Sequence, residues 1–65
     1  MQLHIQDMTC DACARRITNA VRGVDPQAQV TADPPSRKVQ LITQADPQAL
    51  LAALAEAGYP ARRMD

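Results

Sequence analysis

The chain has 65 residues, seven basic and seven acidic side chains, and only two cysteines. A domain of this size buries only about 60% of its unfolded surface and has little room for a substrate cleft, which disfavours an enzyme. The balanced charge disfavours a nucleic-acid partner, and no apolar run approaches the roughly 20 residues that insert across a membrane.

The first half of the chain predicts a strand, a helix and a second strand. Residues 1–6 alternate apolar and polar side chains, as a half-buried strand does. A helix to about Arg22 is predicted next, with Gly23 placed to end it. Its apolar side chains recur at helical spacing, at Cys13, Ile17, Ala20, Val21 and Val24. Asp25-Pro26 predicts a turn, and the alternation at Ala28, Val30 and Ala32 predicts the second strand.

The second half predicts a third strand, a second helix and a short final strand. Residues 33–36 contain two prolines, which cannot both pair within a sheet, so this segment must separate the second strand from the third strand, which carries Val39 and Leu41. In the second helix, Asp46 is predicted to be the N-cap, Pro47 the first helical residue and Gly58 the residue that ends the helix. Residues 59–64 allow one more strand. The order β-α-β-β-α-β, with strands apolar on one side only, predicts a single α+β domain over residues 1–65. We expect a ferredoxin-like sandwich, in which a four-stranded antiparallel sheet carries both helices on one face.

The two cysteines lie three positions apart, in the segment Met8-Thr9-Cys10-Asp11-Ala12-Cys13. Cys13 would lie in or just before the first turn of the helix, where free backbone N–H groups and the positive end of the helix dipole favour a thiolate. The thiolate is the form that binds metal. Cys10 and Cys13 are therefore the candidate ligands of a soft metal ion.

The two cysteines have several possible roles besides a copper site. Cu(I) is satisfied by two or three thiolates, whereas zinc wants four ligands and the chain offers two Cys and one His. His4 falls on the polar side of the first strand, so we interpret it as a surface residue and not a ligand. Thiol–disulfide exchange is a further alternative, although the aromatic and proline neighbours usual in thioredoxin-like sites are missing. Two buried, inert cysteines are the simplest reading, and the polar loop argues against it.

The Met-Thr-Cys-x-x-Cys loop, the order of elements and the ending Ala57-Gly58-Tyr59 together resemble the heavy-metal-associated domain family over essentially the whole chain. That family includes bacterial copper chaperones, the N-terminal domains of copper-transporting P-type ATPases and the periplasmic mercury-binding protein. The resemblance implies nearly linear coordination of Cu(I) by Cys10 and Cys13. It also implies that Cys10 is the more exposed thiol and that Met8 turns into the core to support the loop. Zinc or mercury binding within the same family remains an alternative.

Four residues are expected around the two sulfurs without binding the metal: Met8, Thr9, Asp11 and Tyr59. Asp7 stands where the family most often has Gly, and Asp11 adds a second negative charge between the cysteines. Carboxylates beside the thiolates would favour a harder divalent ion somewhat. Zinc-exporting relatives, however, carry their acidic residue just before the first Cys, where this chain has Thr9. Tyr59 follows Ala-Gly as in bacterial members, in which a Tyr lies close to the metal loop.

The expected mechanism is exchange of thiolate ligands with a partner protein, without free metal and without catalysis. Arg15 and Arg16 follow Cys13 and are expected to steer an acidic partner domain. The expected partners are the metal-binding domain of a copper-transporting P-type ATPase or a copper-responsive regulator. A homodimer bridged by metal between two loops is left open, as is a domain cut from such an ATPase. If Met1 is the native start, the lack of a signal peptide predicts a cytoplasmic protein.

Overall fold

The computed structural model describes residues 1–64 as six elements in the predicted order. The strands are β1 (Gln2–His4), β2 (Gln29–Asp33), β3 (Lys38–Ile42) and β4 (Arg62–Arg63), and the helices are α1 (Asp11–Val24) and α2 (Pro47–Glu56). The strands form one antiparallel sheet in the order β2-β3-β1-β4. The predicted α+β ferredoxin-like fold is confirmed. Over residues 1–64, neither helix has the length and apolarity that crossing a membrane requires.

The core lies between the sheet and the helices and is almost entirely aliphatic. Every second side chain of β1 and β3 points into it, because successive side chains of a strand face opposite sides. Met8, from the loop after β1, is fully buried there, as is Ile17 of α1. The buried side chains are Leu3, Ile5, Met8, Ile17, Val21, Ala28, Val39, Leu41, Leu50, Leu54 and Tyr59.

The N-cap, the first-turn proline and the terminating glycine predicted for α2 are present in the structure. The carboxylate of Asp46 accepts a hydrogen bond from the Gln48 N–H at 3.0 Å, and Pro47 is the first helical residue. Gly58 follows the helix with φ of +91°, a left-handed backbone that favours glycine. The turn at Gly58 places Tyr59 against the end of α2, where the Tyr59 N–H donates a hydrogen bond to the Leu54 carbonyl at 2.8 Å.

The predicted end of α1 was wrong. Gly23 lies inside the helix, which continues to Val24. Asp25 is the C-cap and has extended backbone, because the proline at position 26 disfavours helical backbone in the residue before it. Asp25 then joins α1 to the sheet: its N–H donates to the Val21 carbonyl at 2.9 Å, and its carboxylate accepts from the Thr43 hydroxyl at 2.5 Å.

The outer strands are shorter than the sequence indicates. The first strand was predicted over residues 1–6 but ends at His4, because a tight turn brings the Met8 N–H to the Ile5 carbonyl at 3.2 Å. The last was predicted from Tyr59 onward but begins at Arg62. Tyr59 uses its N–H on α2, and Pro60 has no N–H to donate to a neighbouring strand.

Candidate metal centre

The loop between β1 and α1 presents both thiols at one end of the molecule. Cys10 is exposed and has extended backbone angles of −155° and 173° as the N-cap of α1. Its carbonyl accepts a hydrogen bond from the Ala14 N–H at 3.1 Å, so the first helical turn fixes the loop backbone. Cys13 is half-buried in that turn. The rigid side of the site is therefore Cys13, and the open side is Cys10.

The two sulfurs are 3.4 Å apart, and both cysteines are free thiols. This separation lies between the roughly 2.0 Å of a disulfide and the span of about 4.6 Å reached by two collinear metal–thiolate bonds. A small movement of the exposed Cys10 side chain would therefore admit one metal ion between the sulfurs.

Hydrogen bonds to the Cys13 sulfur lower the pKa of this thiol from 9.0 to about 6. The Tyr59 side chain makes the largest contribution, and the Thr9 backbone, the Cys10 thiol and the Thr9 side chain follow in that order. Partial burial acts in the opposite direction but is outweighed. The lowered pKa favours the thiolate form of Cys13 at neutral pH, which is the form that binds metal cations.

Tyr59 reaches the site from the opposite end of the sequence. Its side chain is only 7% exposed, and its hydroxyl lies at the surface of α1, where Arg16 Nη1 donates to Tyr59 Oη at 3.5 Å. This contact joins residues 43 positions apart. Sequence reasoning placed Arg16 on a docking surface and did not anticipate its contact with Tyr59, since no local pattern links the two.

The other residues singled out from the sequence occupy distinct positions. Met8 is fully buried in the core, so its sulfur faces away from solvent. Thr9 is exposed beside the cysteines, and Asp11 is the exposed first residue of α1, where its charge complements the helix dipole. Arg15 is exposed on α1 and lines a shallow surface groove with Ala14, Thr18, Asn19 and Arg22.

The donors that this candidate site offers a metal ion are two sulfurs. Within residues 1–64, no three or more His, Cys, Asp or Glu side chains come together in a way that could hold a metal ion. His4 lies on β1 between Lys38 and Arg62 of the neighbouring strands, so the one imidazole does not join the cysteines. Two thiolates suit a soft ion of low coordination number better than zinc.

Comparison with known proteins agrees with this geometry. A profile of the heavy-metal-associated domain matches residues 2–60. A gold-binding protein of known structure is 39% identical, with 98% of each chain covered and a TM-score of 0.95. The copper chaperone Atx1 from Synechocystis PCC6803, solved in a trimeric form, is 37% identical, with 95% of this chain and 98% of that one covered and a TM-score of 0.90.

A solved structure of lower sequence identity has the same fold. Oxidized MerP from Ralstonia metallidurans CH34 is 29% identical over 94% of this chain and 89% of its own, with a TM-score of 0.78. The family profile covers nearly the whole chain, and the element order and the two-cysteine loop are both present. The chain belongs to the heavy-metal-associated domain family, as a metal-binding chaperone of the bacterial copper-chaperone type and not an enzyme.

Proposed function

We propose that this chaperone binds one Cu(I) ion between Cys10 and Cys13 and passes it to the thiolates of a partner protein. The observation that carries the proposal is the pair of sulfurs 3.4 Å apart on an exposed loop, one of them held as a thiolate by its neighbours. A two-sulfur site is complete for Cu(I) but leaves zinc two ligands short. The similarity to a copper chaperone at 37% identity supports the same choice.

Transfer proceeds by exchange of ligands and needs no redox step. An incoming partner thiolate adds to the two-coordinate ion, giving a three-coordinate intermediate, and one of the original thiolates then leaves. The exposed Cys10 is the ligand that departs first, because Cys13 is half-buried in the first turn of α1. The charge on Cu(I) does not change, and the total number of metal–sulfur bonds returns to two.

The partner we propose is the metal-binding domain of a copper-transporting P-type ATPase or a copper-responsive regulator, met in the cytoplasm. Arg15 and Arg16 lie on α1 directly beside the loop, so an acidic surface on the partner would be drawn towards the metal. A homodimer in which two loops share metal is a second arrangement that the exposed Cys10 thiol permits.

A competitive titration tests the choice of metal. The reduced protein is titrated with Cu(I) and, separately, with Zn(II), against the Cys10→Ser and Cys13→Ser variants. We expect tight binding of one Cu(I) per chain that zinc does not displace and that both variants lose. Preferential zinc binding would refute the copper assignment. Binding of neither metal would leave thiol–disulfide exchange as the remaining explanation of the cysteine pair.

Gold and mercury are the soft ions to compare next, because a gold-binding protein and MerP are among the similar structures. The same titration with Au(I) and Hg(II) ranks these ions against Cu(I). Binding of gold or mercury that excess Cu(I) cannot reverse would move the function from copper handling to resistance to those metals.

A charge reversal tests the docking role of α1. Arg15→Glu should slow transfer to an acidic partner domain and weaken the salt dependence of the rate. Cu(I) affinity should not change, because Arg15 is exposed and lines a groove to which neither cysteine contributes. Arg22→Glu, at the far end of the helix, is the matched control. Equal transfer rates in the wild type and both variants would remove the steering role.

A further inference from the structure

Four side chains form a row across the sheet, on the face that the helices leave uncovered. His4 of β1 lies opposite Lys38 of β3 on one side and opposite Arg62 of β4 on the other. Lys38 in turn lies opposite Asp33 of β2. Residues directly opposite each other in antiparallel strands share a face. The two chain neighbours of His4 are fully buried, so the row belongs to the other, solvent-exposed face of the sheet.

The charge of this row is mostly positive. Lys38 and Arg62 are exposed, and within residues 1–64 neither side chain forms an ion pair or a hydrogen bond. Asp33 is the acidic member of the row, but its carboxylate accepts a hydrogen bond from the Ser36 hydroxyl at 2.8 Å and does not pair with Lys38. The next two rows of this face are uncharged: Thr31, Gln40 and Gln2, then Gln29 and Ile42. Positive charge is therefore concentrated at one end of the uncovered face.

A shallow hollow of about 260 Å³ opens at the β4 end of the row. It is lined by His4, Gln6, Pro60, Ala61 and Arg62. Because β4 begins only at Arg62, the chain that continues from β1 has no paired strand on this side. The three polar side chains of the hollow can all donate hydrogen bonds, and a guanidinium group can hold a carboxylate through two parallel bonds. The hollow therefore suits an anionic oxygen group.

We propose that Lys38, His4 and Arg62, the cationic row, form a docking surface for an acidic protein segment, with one carboxylate seated in the hollow beside Arg62. Neighbouring strands are about 4.8 Å apart, so the row places Lys38 and Arg62 roughly 10 Å from each other. A compact anion reaches only part of such a line, whereas a segment with several carboxylates meets every cation in it. The inference goes beyond the proposed function and does not depend on it, because it involves no metal.

The cationic row is separate from the surface of α1 that carries Arg15 and Arg16. The helices cover one face of the sheet, and the row lies on the opposite face. β1 ends at His4 and leads directly into the loop that carries the cysteines, so the row lies at the same end of the sheet as the thiols. An acidic segment held there would bring its protein beside this loop from the side opposite α1.

Single-stranded nucleic acid carries the same sign of charge as an acidic segment, but the uncovered face offers it no further contact. Proteins that bind single strands provide aromatic side chains on which the bases stack. The one aromatic side chain of this protein, Tyr59, is buried in the core. The chain also has no excess of basic over acidic residues. The row therefore favours the carboxylates of a protein over the phosphates of a nucleic acid.

The test is a titration of the reduced, metal-free protein with a short oligoglutamate peptide whose ends are blocked, followed by nuclear magnetic resonance at low ionic strength. We expect the largest chemical-shift changes at the backbone N–H groups of the cationic row. Lys38→Gln and Arg62→Gln should each weaken binding by roughly twofold to fivefold. Arg22→Gln removes the same charge at the far end of α1 and is the matched control. Equal weakening by Arg22→Gln, or shift changes confined to α1, would overturn the docking surface.

Two further titrations identify the class of ligand. Inorganic phosphate should bind more weakly than the peptide, and equally tight binding of phosphate would overturn the assignment to a segment with several carboxylates. Oligothymidylate should also bind more weakly, and tighter binding to the same face would overturn the choice of a protein over a nucleic acid. Failure of the wild type to bind the peptide would defeat this inference alone, whereas failure to bind Cu(I) would defeat the proposed function alone.

Discussion

The Tyr59→Phe substitution tests the electrostatic account of the metal centre most directly. Removing the hydroxyl deletes the largest of the interactions that lower the pKa of Cys13 from 9.0 to about 6. At pH 7 a thiol with a pKa of about 6 is roughly 90% ionised, whereas one at its usual value is roughly 1% ionised. In the variant we expect the Cys13 pKa to rise towards 9.0, without reaching it, because the hydrogen bonds from Thr9 and Cys10 remain.

The assay is nuclear magnetic resonance of the reduced, metal-free protein. The Cβ chemical shift of Cys13 follows its own ionisation, so a pH titration that brackets 6 and 9.0 reads the pKa of this one thiol. Thr43→Val, at a hydroxyl that bonds to Asp25 and not to the cysteines, controls for general effects of removing a hydroxyl. A wild-type midpoint near 9.0, or equal midpoints in the wild type and Tyr59→Phe, would refute the account.

The lowered pKa also sets the pH dependence of binding and stability. Well above pH 6, protons no longer compete for Cys13, so this residue adds no pH dependence to metal affinity. Below pH 6, its protonation lowers the affinity by about tenfold per pH unit. The free energy of unfolding depends on pH in the same direction. The stabilisation that comes from the lowered pKa is complete above pH 9.0 and is lost as the pH falls through 6.

Three further predictions concern the supports of the loop and of Tyr59. Met8→Leu should leave Cu(I) affinity unchanged in the titration above, because Met8 is fully buried. Met8→Ala should lower the free energy of unfolding in urea by about 2–5 kcal/mol. A loss of Cu(I) affinity in Met8→Leu would instead make Met8 a ligand. Gly58→Ala should lower the free energy of unfolding in urea by about 1–2 kcal/mol because Gly58 has a positive φ. Gly23→Ala should raise it by about 0.5–1 kcal/mol because Gly23 lies in ordinary helix. A change in the same direction in both variants would contradict the argument from backbone conformation. Asp46→Ala should cost about 1 kcal/mol by loss of the cap on α2, and unchanged stability would show that the Gln48 N–H finds another acceptor.

The parts of the fold that could be predicted are those that local chemistry controls. Alternation in β1 and β3, the cap at Asp46 and the positive φ at Gly58 each depend on a few neighbouring residues. The cysteine pair was found in the same way, since its spacing and its place before a helix are visible in the sequence. The end of α1 was missed because a glycine inside a helix costs only about 1 kcal/mol, whereas the proline at position 26 constrains Asp25 outright.

The surroundings of the sulfurs depend on tertiary contacts and could be predicted only in outline. Resemblance to a family placed Tyr59 near the loop, but not its bond to Arg16, because that contact depends on how α1 packs against the segment after α2. Arg16 was interpreted from its neighbour Cys13 and from its charge alone. A basic residue three positions after the second cysteine, together with a Tyr after Ala-Gly, is the signal that would have connected them.

The strand order has a consequence for how the molecule meets other proteins. An exposed strand edge invites another chain to extend the sheet, and natural proteins discourage this with short strands, charges and prolines. Here one edge is β4, which consists of two arginines, and the other is β2, which runs into Asp33 and two prolines. Both edges therefore resist extension of the sheet by another chain, so a partner that approaches along either edge meets charge or proline instead of an open row of backbone N–H and C=O groups.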